Sequence, residues 1–535
     1  MATKGRTWQE IAAAKRASLA ESIPQEWRVP PELLPPEDQL DVSSFPAESG
    51  WFTPEELEIT STPATTLLES VASKKWTSEK VARAFCKRAS AAHQLTNCLS
   101  ETLFPEAIAT AQALDKYYKE TGKTIGPLHG LPISLKDNFN VVGKDSTVGF
   151  ISWVNDPAKY NSTLVEILKE AGAVLYVKTN VPTAMMIAET VNNVFGRTVN
   201  PYNRSLTSGG SSGGESALIA FGGSVLGVGT DIGGSLRIPA ACTGIFTLRP
   251  SFGRFPTLRA RSGLAGQEAV NSVNGPMAKS VDDMIVFAKN VVDMQPWLHD
   301  PKCLPIPWRP WELQKKLKIA IMWHDSMVLP TPPVHRALKE TAEKLRKAGH
   351  DIVDWDPKMH SQAAKILGRM FLADGGKSIR KILEPYEEPF RPEMIAYSIA
   401  TELGTYDMWQ LHQERTELCK LYLDQWNAVG GLDAILCPTT PFASVANGKF
   451  KHVGYTGVFN ILDYSAVSFP CGTTADKSVD TPHTEHDLMS DIDGEIQSDY
   501  DPEAVHGMPV NLQLVARRLE EEKVLAMTKM VLDAL

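Results

Sequence analysis

Nowhere in this chain does an uninterrupted apolar run approach the ~18 residues that a membrane-spanning helix requires. The opening stretch, MATKGRTWQEIAAAKRASLAESIP, has the charge and spacing of a solvated amphipathic helix and lacks the apolar core of a secretion signal. Cysteine is sparse as well: the 7 residues Cys86, Cys98, Cys242, Cys303, Cys419, Cys437 and Cys471 are odd in number and dispersed, with no C-x-x-C pair. They read as reduced thiols of a cytoplasmic protein, mostly filling the core. Basic charge is not in excess either, with 54 Lys and Arg against 63 Asp and Glu and a net charge of -9. That balance offers no basic face to a nucleic acid, so none is expected as a partner. Nucleotide and metal signatures are also missing. Gly227-Val228-Gly229 lacks the third glycine of a dinucleotide fingerprint, and no GxxxxGK[ST] occurs. His483, Glu485 and His486 do not have zincin spacing, and DIDGE is too short for a calcium loop, so neither metal nor cofactor is expected.

What is present is a core-forming composition, 43% hydrophobic over 535 residues. Helical spacing over 67–92 and 106–120, the latter ending before Gly122, alternates with short apolar blocks. Asn161-Ser162-Thr163 offers a cap for a helix running to Gly172, after which AVLYVKTN reads as a buried strand. LKIAIMW, DAILCP and VNLQLVA are further buried strands, and HRALKETAEKLRKAGH is an amphipathic helix. Such alternation predicts an α/β fold, a mostly parallel or mixed central sheet covered by helices on both faces. Residues 1–55 read as a helical and proline-rich N-terminal arm, and 296–312 as a connection between two lobes. Residues 476–505, acidic and poor in apolar side chains, read as a surface loop.

Chemistry concentrates in the run Ser208 to Pro250, SGGSSGGESALIAFGGSVLGVGTDIGGSLRIPAACTGIFTLRP. Glycines let backbone N–H groups approach a ligand, and serine supplies a nucleophile or proton relay, the ingredients of an oxyanion-stabilising hydrolase. A serine nucleophile needs a base. None of the 12 histidines sits in a recognisable catalytic context, and the best of them, His129 and His324, read as structural. The other candidate base is Lys136, at the end of the strand-like ISLK in GLPISLKDNF. Burial at a strand end would lower its pKa and make it basic near neutral pH; the alternative is a surface lysine paired with Asp137. A rival motif, Gly210-Ser211-Ser212-Gly213-Gly214, fits GxSxG and would make Ser212 an esterase nucleophile, although RSLTSGG before it does not read as a buried strand.

GLPISLKDNF, NPYN followed by SGGSSGGE, and GTDIGGSLRIPAACTGIFTLRPS resemble the signature blocks of the amidase signature family, in order. The likeness extends to NGPMAKSVDD, ILCPTTP and GMPVNLQLVA and covers roughly residues 60–530. The N-terminal WQEIAAAKRASLAESIPQEWRVP is similar to fungal acetamidases and general amidases, and the core resembles fatty acid amide hydrolase. The resemblance implies the amidase signature fold, an α/β/α sandwich forming a single domain over 56–535 with its catalytic core at about 125–285. It implies hydrolysis of a carboxylic amide to acid plus ammonia or amine through a Ser-cisSer-Lys triad: Ser235 as nucleophile, Ser211 as bridging serine and Lys136 as base. It further implies an oxyanion hole from the amides of Ile232, Gly233, Gly234 and Ser235, bracing by Ser212, Asp231 and Arg237, and Met185 lining the acyl pocket. Regions 185–195, 323–327, 368–375 and 455–465 are expected to wall that pocket, while Thr230 and Cys242 read as structural. The expected partner is a small-molecule amide, and a homodimer is left open. A glutamine-hydrolysing amidotransferase subunit of the same fold is the alternative function.

Overall fold

The apolar blocks fold as strands. The computed structural model describes residues 5–312, 314–483 and 487–535. Its strands are β1 (Leu99–Thr102), β2 (Pro132–Lys136), β3 (Val174–Thr179), β4 (Val191–Asn192), β5 (Gly196–Arg197), β6 (Leu226–Asp231), β7 (Phe246–Arg249), β8 (Val273–Ala278), β9 (Lys318–Ile321), β10 (Asp351–Asp354), β11 (Ala434–Pro438), β12 (Ala466–Thr474) and β13 (Pro509–Val515). β4 and β5 pair with each other, and the remaining 11 form one sheet in the order β1-β3-β2-β6-β8-β7-β12-β13-β11-β9-β10. The sheet is mixed. β2 runs parallel to both β3 and β6, and β9 to both β10 and β11, while the other pairings are antiparallel. Every residue of β2, β3, β6, β8 and β11 is buried. Side chains alternate between faces along a strand, so burial of all of them means that both faces are covered, the α/β layering expected.

Several boundaries differ from the periodicity. The stretch 67–92 is two helices, Ala64–Ala72 and Ser78–Thr96, rather than one. Lys74 takes a left-handed φ of 64°, which interrupts the first, and the Thr77 side chain accepts from the Lys80 amide to start the second. Ser162 does precede the helix Thr163–Glu170, but without capping it. Its hydroxyl instead donates to the Arg259 carbonyl (2.9 Å) and accepts from the Asn140 amide (2.8 Å). The two strands flanking 296–312, β8 and β9, lie in one continuous sheet, so that segment does not separate two sheets.

The acidic stretch 476–505 is not all loop. It contains the helix Asp491–Asp499. Buried Asp480 pairs with Arg336 (2.7 Å), and buried Asp493 accepts from the Leu329 amide (3.1 Å), which ties the segment to the body. Thr484, Glu485 and His486 lie outside the described residues. At the other end, the helix Trp8–Glu21 packs Ile11, Ala12 and Leu19 against Ile151, Val194 and Phe195. Its Lys15 reaches Glu101 and, at 2.7 Å, Asp145.

Candidate active site

The neighbouring parallel strands β2 and β6 end side by side, and the carboxyl ends of such strands are where α/β sheets gather reactive groups. Lys136 closes β2 and is fully buried. Its Nζ donates to Ser211 Oγ (2.7 Å) and to Thr230 Oγ1 (2.6 Å), the latter near the end of β6. Burial lowers its pKa to about 7, with Asp231 and Glu215 pulling the other way. Asp137 is not its partner. That carboxylate accepts from Ser100 Oγ (2.6 Å) and the Val148 amide (2.7 Å) and faces Lys178 (3.8 Å).

Ser211 follows a cis peptide bond from Gly210 and is buried. Ser212, just before the helix Gly213–Ala220, donates its hydroxyl to the Thr230 carbonyl (3.3 Å) and its amide to the Ser235 carbonyl (3.2 Å). It therefore ties the serine-rich loop to both β6 and the loop holding Ser235, and its hydroxyl is spent on backbone. The helix also carries Glu215, buried, which accepts from Ser134 and from Thr179 Oγ1 (2.7 Å). Burial pushes its carboxyl up to about 7. Gly227 exists in β6 because of this carboxylate: a Cβ there would meet Glu215 Oε1 at 1.8 Å.

Ser235 lies between β6 and the helix Arg237–Thr243, 9% exposed. Among the described residues its hydroxyl has no hydrogen-bond partner, unlike that of Ser211 or Ser212. The loop leading to it is held from within by Asp231. The carboxylate accepts from the Gly234 amide (2.9 Å), the Leu236 amide (3.2 Å), Arg237 Nε (3.1 Å) and Asn460 Nδ2 (2.8 Å). Burial would raise its pKa, but the Arg237 guanidinium and these donors hold it down to about 2. Arg237, also fully buried, donates further to Gln513 Oε1 (3.2 Å) and Asn460 Oδ1 (2.7 Å). Gly234, expected among the oxyanion donors, thus has its amide turned to Asp231. The amides of Ile232, Gly233 and Ser235 donate to no protein acceptor among the described residues.

Apolar residues flank this loop. Phe371 joins two core clusters, one containing Ile232 and Phe459, the other Met185, Val148, Phe150 and Leu264. Its ring edge lies 3.4 Å from where a Cβ on Gly233 would sit. Met185 is half-buried in a turn where it and Ala184 both have positive φ (59° and 60°). Of the expected wall regions, 323–327 holds Asp325, whose Oδ2 binds His452 Nε2 at 2.6 Å. The histidine candidates bond to none of Ser211, Ser212 and Ser235. His129 Nδ1 accepts from the Ile125 amide (3.0 Å) and His324 Nδ1 from the Ser326 amide (3.1 Å). Sequence reasoning gave Thr230 no part in the site, although it holds the Lys136 amine, and placed Thr456 and Asn460 only within the expected wall region 455–465, not as braces of the loop.

The arrangement offers a buried amine of lowered pKa bonded to one serine, a second serine with a free hydroxyl at the edge of solvent, and unspent amides beside it. Comparisons with known proteins show the family. The family model described as Amidase matches residues 80–525. The chain is 42% identical to an acetamidase of Emericella nidulans over 98% of both chains, and 40% identical to an acetamidase of Aspergillus oryzae over 98% of both. It superimposes on the structure of a fatty acid amide hydrolase with a TM-score of 0.95 at 35% identity, covering 99% of this chain and 95% of that one.

Proposed function

Because the chain belongs to the amidase signature family of amide hydrolases, we propose that it cleaves a carboxylic amide through an acyl-enzyme on Ser235, with Ser211 and Lys136 as the proton relay. The observation that carries this reading is the buried Lys136 amine, with a pKa of about 7, bonded at 2.7 Å to Ser211. A lysine poised there supplies a neutral amine at physiological pH without a histidine.

In its neutral form Lys136 accepts the Ser211 proton while Ser211 accepts that of Ser235, and Ser235 Oγ bonds to the amide carbon. The carbonyl electron pair moves to oxygen, where the amides of Ile232, Gly233 and Ser235 receive it. Collapse of the tetrahedral adduct breaks the C–N bond, and the proton stored on Lys136 returns through Ser211 to the departing nitrogen. Water then attacks the ester on Ser235 by the same relay and releases the acid. Ser212 and Asp231 act as braces, since their polar atoms are committed to the backbone and to Arg237.

The acyl group is proposed to lie against Phe371 and Met185, beside the oxyanion loop. Similarity to the acetamidases supports a small acyl group, and the seven unpaired thiols support a reducing, cytoplasmic setting. The experiment is hydrolysis of a panel running from acetamide through aryl amides to long-chain amides, by the native enzyme, Ser235→Ala and Lys136→Ala. Ser235→Ala is expected to abolish turnover of every substrate. If Ser212→Ala alone among the serine variants were inactive, the assignment would fail.

A further inference from the structure

The peptide unit between Gly233 and Gly234 is held at both ends. Its N–H, on Gly234, donates to Asp231 Oδ1 at 2.9 Å, and its C=O, on Gly233, accepts from Thr456 Oγ1 at 2.7 Å. The N–H and C=O of a trans peptide point in opposite directions, so these two partners grip it from opposite edges. A peptide plane bonded at both its N–H and its C=O resists flipping, and through the shared Cα atoms it restricts the directions open to the N–H groups before and after it. Those are the amides of Gly233 and Ser235. One turn along the same helix, Gly454–Leu462, Asn460 bonds the Asp231 carboxylate (2.8 Å) and accepts from Arg237 (2.7 Å). Residues four apart share a helix face, so one face of this helix holds the carbonyl of the loop and the carboxylate that holds its amide.

The helix itself is anchored. His452 Nε2 binds Asp325 Oδ2 at 2.6 Å just before it begins, and the Tyr455 hydroxyl donates to the Val328 carbonyl at 2.6 Å. Asp325 in turn accepts from the amides of Met327 (3.0 Å) and Val328 (2.9 Å). The contact to the loop leaves no slack. A Cβ on Gly234, whose φ is 130°, would meet Thr456 Oγ1 at 2.2 Å, so the helix and the loop approach as closely as a bare glycine permits.

We propose that Thr456 is a positioning residue for catalysis: its hydroxyl fixes the Gly233–Gly234 peptide so that the Gly233 and Ser235 amides converge on the developing oxyanion. This rests on the acyl-enzyme reading of Ser235 given above. Correct aim of the donors matters most in the transition state, when charge accumulates on the substrate oxygen, so loss of the hydroxyl acts on kcat more than on KM.

The test is Thr456→Val, which keeps the shape and removes the hydroxyl, with Thr456→Ala as a smaller second variant and Thr456→Ser as the conservative control. Both hydroxyl-free variants are expected to lose about ten- to a hundredfold in kcat with KM changed less than about threefold, and Thr456→Ser to restore most of the rate. Affinity for a trifluoromethyl ketone, which forms an oxyanion on the nucleophile, is expected to fall in step with kcat. Unchanged kcat in the hydroxyl-free variants, or a loss that serine does not restore and that follows melting temperature, overturns the proposal. Ser235→Ala measured alongside separates the two levels: activity in that variant refutes the acyl-enzyme reading, whereas an inactive Ser235→Ala with unimpaired Thr456→Val refutes only the role of Thr456.

Discussion

Replacing Lys136 with methionine removes a buried titrating group, and its consequence for stability follows from where that group gives up its proton. Lys136 is fully buried, and burial brings its pKa from an ordinary 10.5 to about 7. Between those two values the unfolded chain holds a proton that the folded one has released. Stability therefore rises with pH across that window, by ~1.4 kcal/mol per unit for one proton. From about pH 7.5 to about 9.5 the native protein should gain roughly 3 kcal/mol relative to Lys136→Met, whose side chain does not titrate. Methionine also forfeits the hydrogen bonds to Ser211 and Thr230, which lowers stability by an offset that does not vary with pH. The slope of the difference, rather than its absolute value, is thus the diagnostic quantity. Urea unfolding of both proteins across that range measures it. A difference that stays flat with pH would mean that Lys136 keeps its proton in the folded protein, and the relay would lose its base.

Asp231→Asn leaves Arg237 buried without a counter-charge, and breaking a buried pair in this way costs about 3–5 kcal/mol; a loss under about 1 kcal/mol in urea unfolding would show that Asn460 and Gln513 suffice to hold the guanidinium. Phe371→Ala opens space beside Gly233, so the ratio of kcat/KM for a butyramide over acetamide should rise about tenfold, the value of one to two buried methylenes. An unchanged ratio would remove Phe371 from the acyl pocket.

β2, β3, β9, β11 and β13 were legible because they read as short apolar blocks, as in Ile133, Leu135 and Val174–Val177, whereas β6 and β8, equally buried but broken by Gly227, Gly229, Gly275 and Pro276, were not. The order of the strands was not legible either. β8 enters antiparallel between β6 and β7, and β12 and β13 lie between β7 and β11, pairings that no local pattern encodes. Likewise the apolar spacing runs on past Ala72 and Ser78, while the break between the two helices is set by one left-handed residue, Lys74, and a threonine cap. In the site, Lys136, Ser211 and Ser235 stand in local motifs, and the structure joins the first two directly. Asn460, Gln513 and Thr456 were not legible as braces, because each reaches the loop across more than two hundred residues of chain and its type is ordinary at its own position. Gly234 marks a subtler limit. Its sequence context resembles an anion cradle, but the direction of its amide depends on a carboxylate three residues away and on a hydroxyl from a remote helix.

The covalent intermediate is the central claim, and a fluorophosphonate labels an activated serine directly. After reaction, peptide mapping by mass spectrometry should find one adduct, on Ser235, formed faster as pH rises through about 7 and absent in Ser235→Ala. An adduct on Ser211 or Ser212, or undiminished labelling of Ser235→Ala, would contradict it.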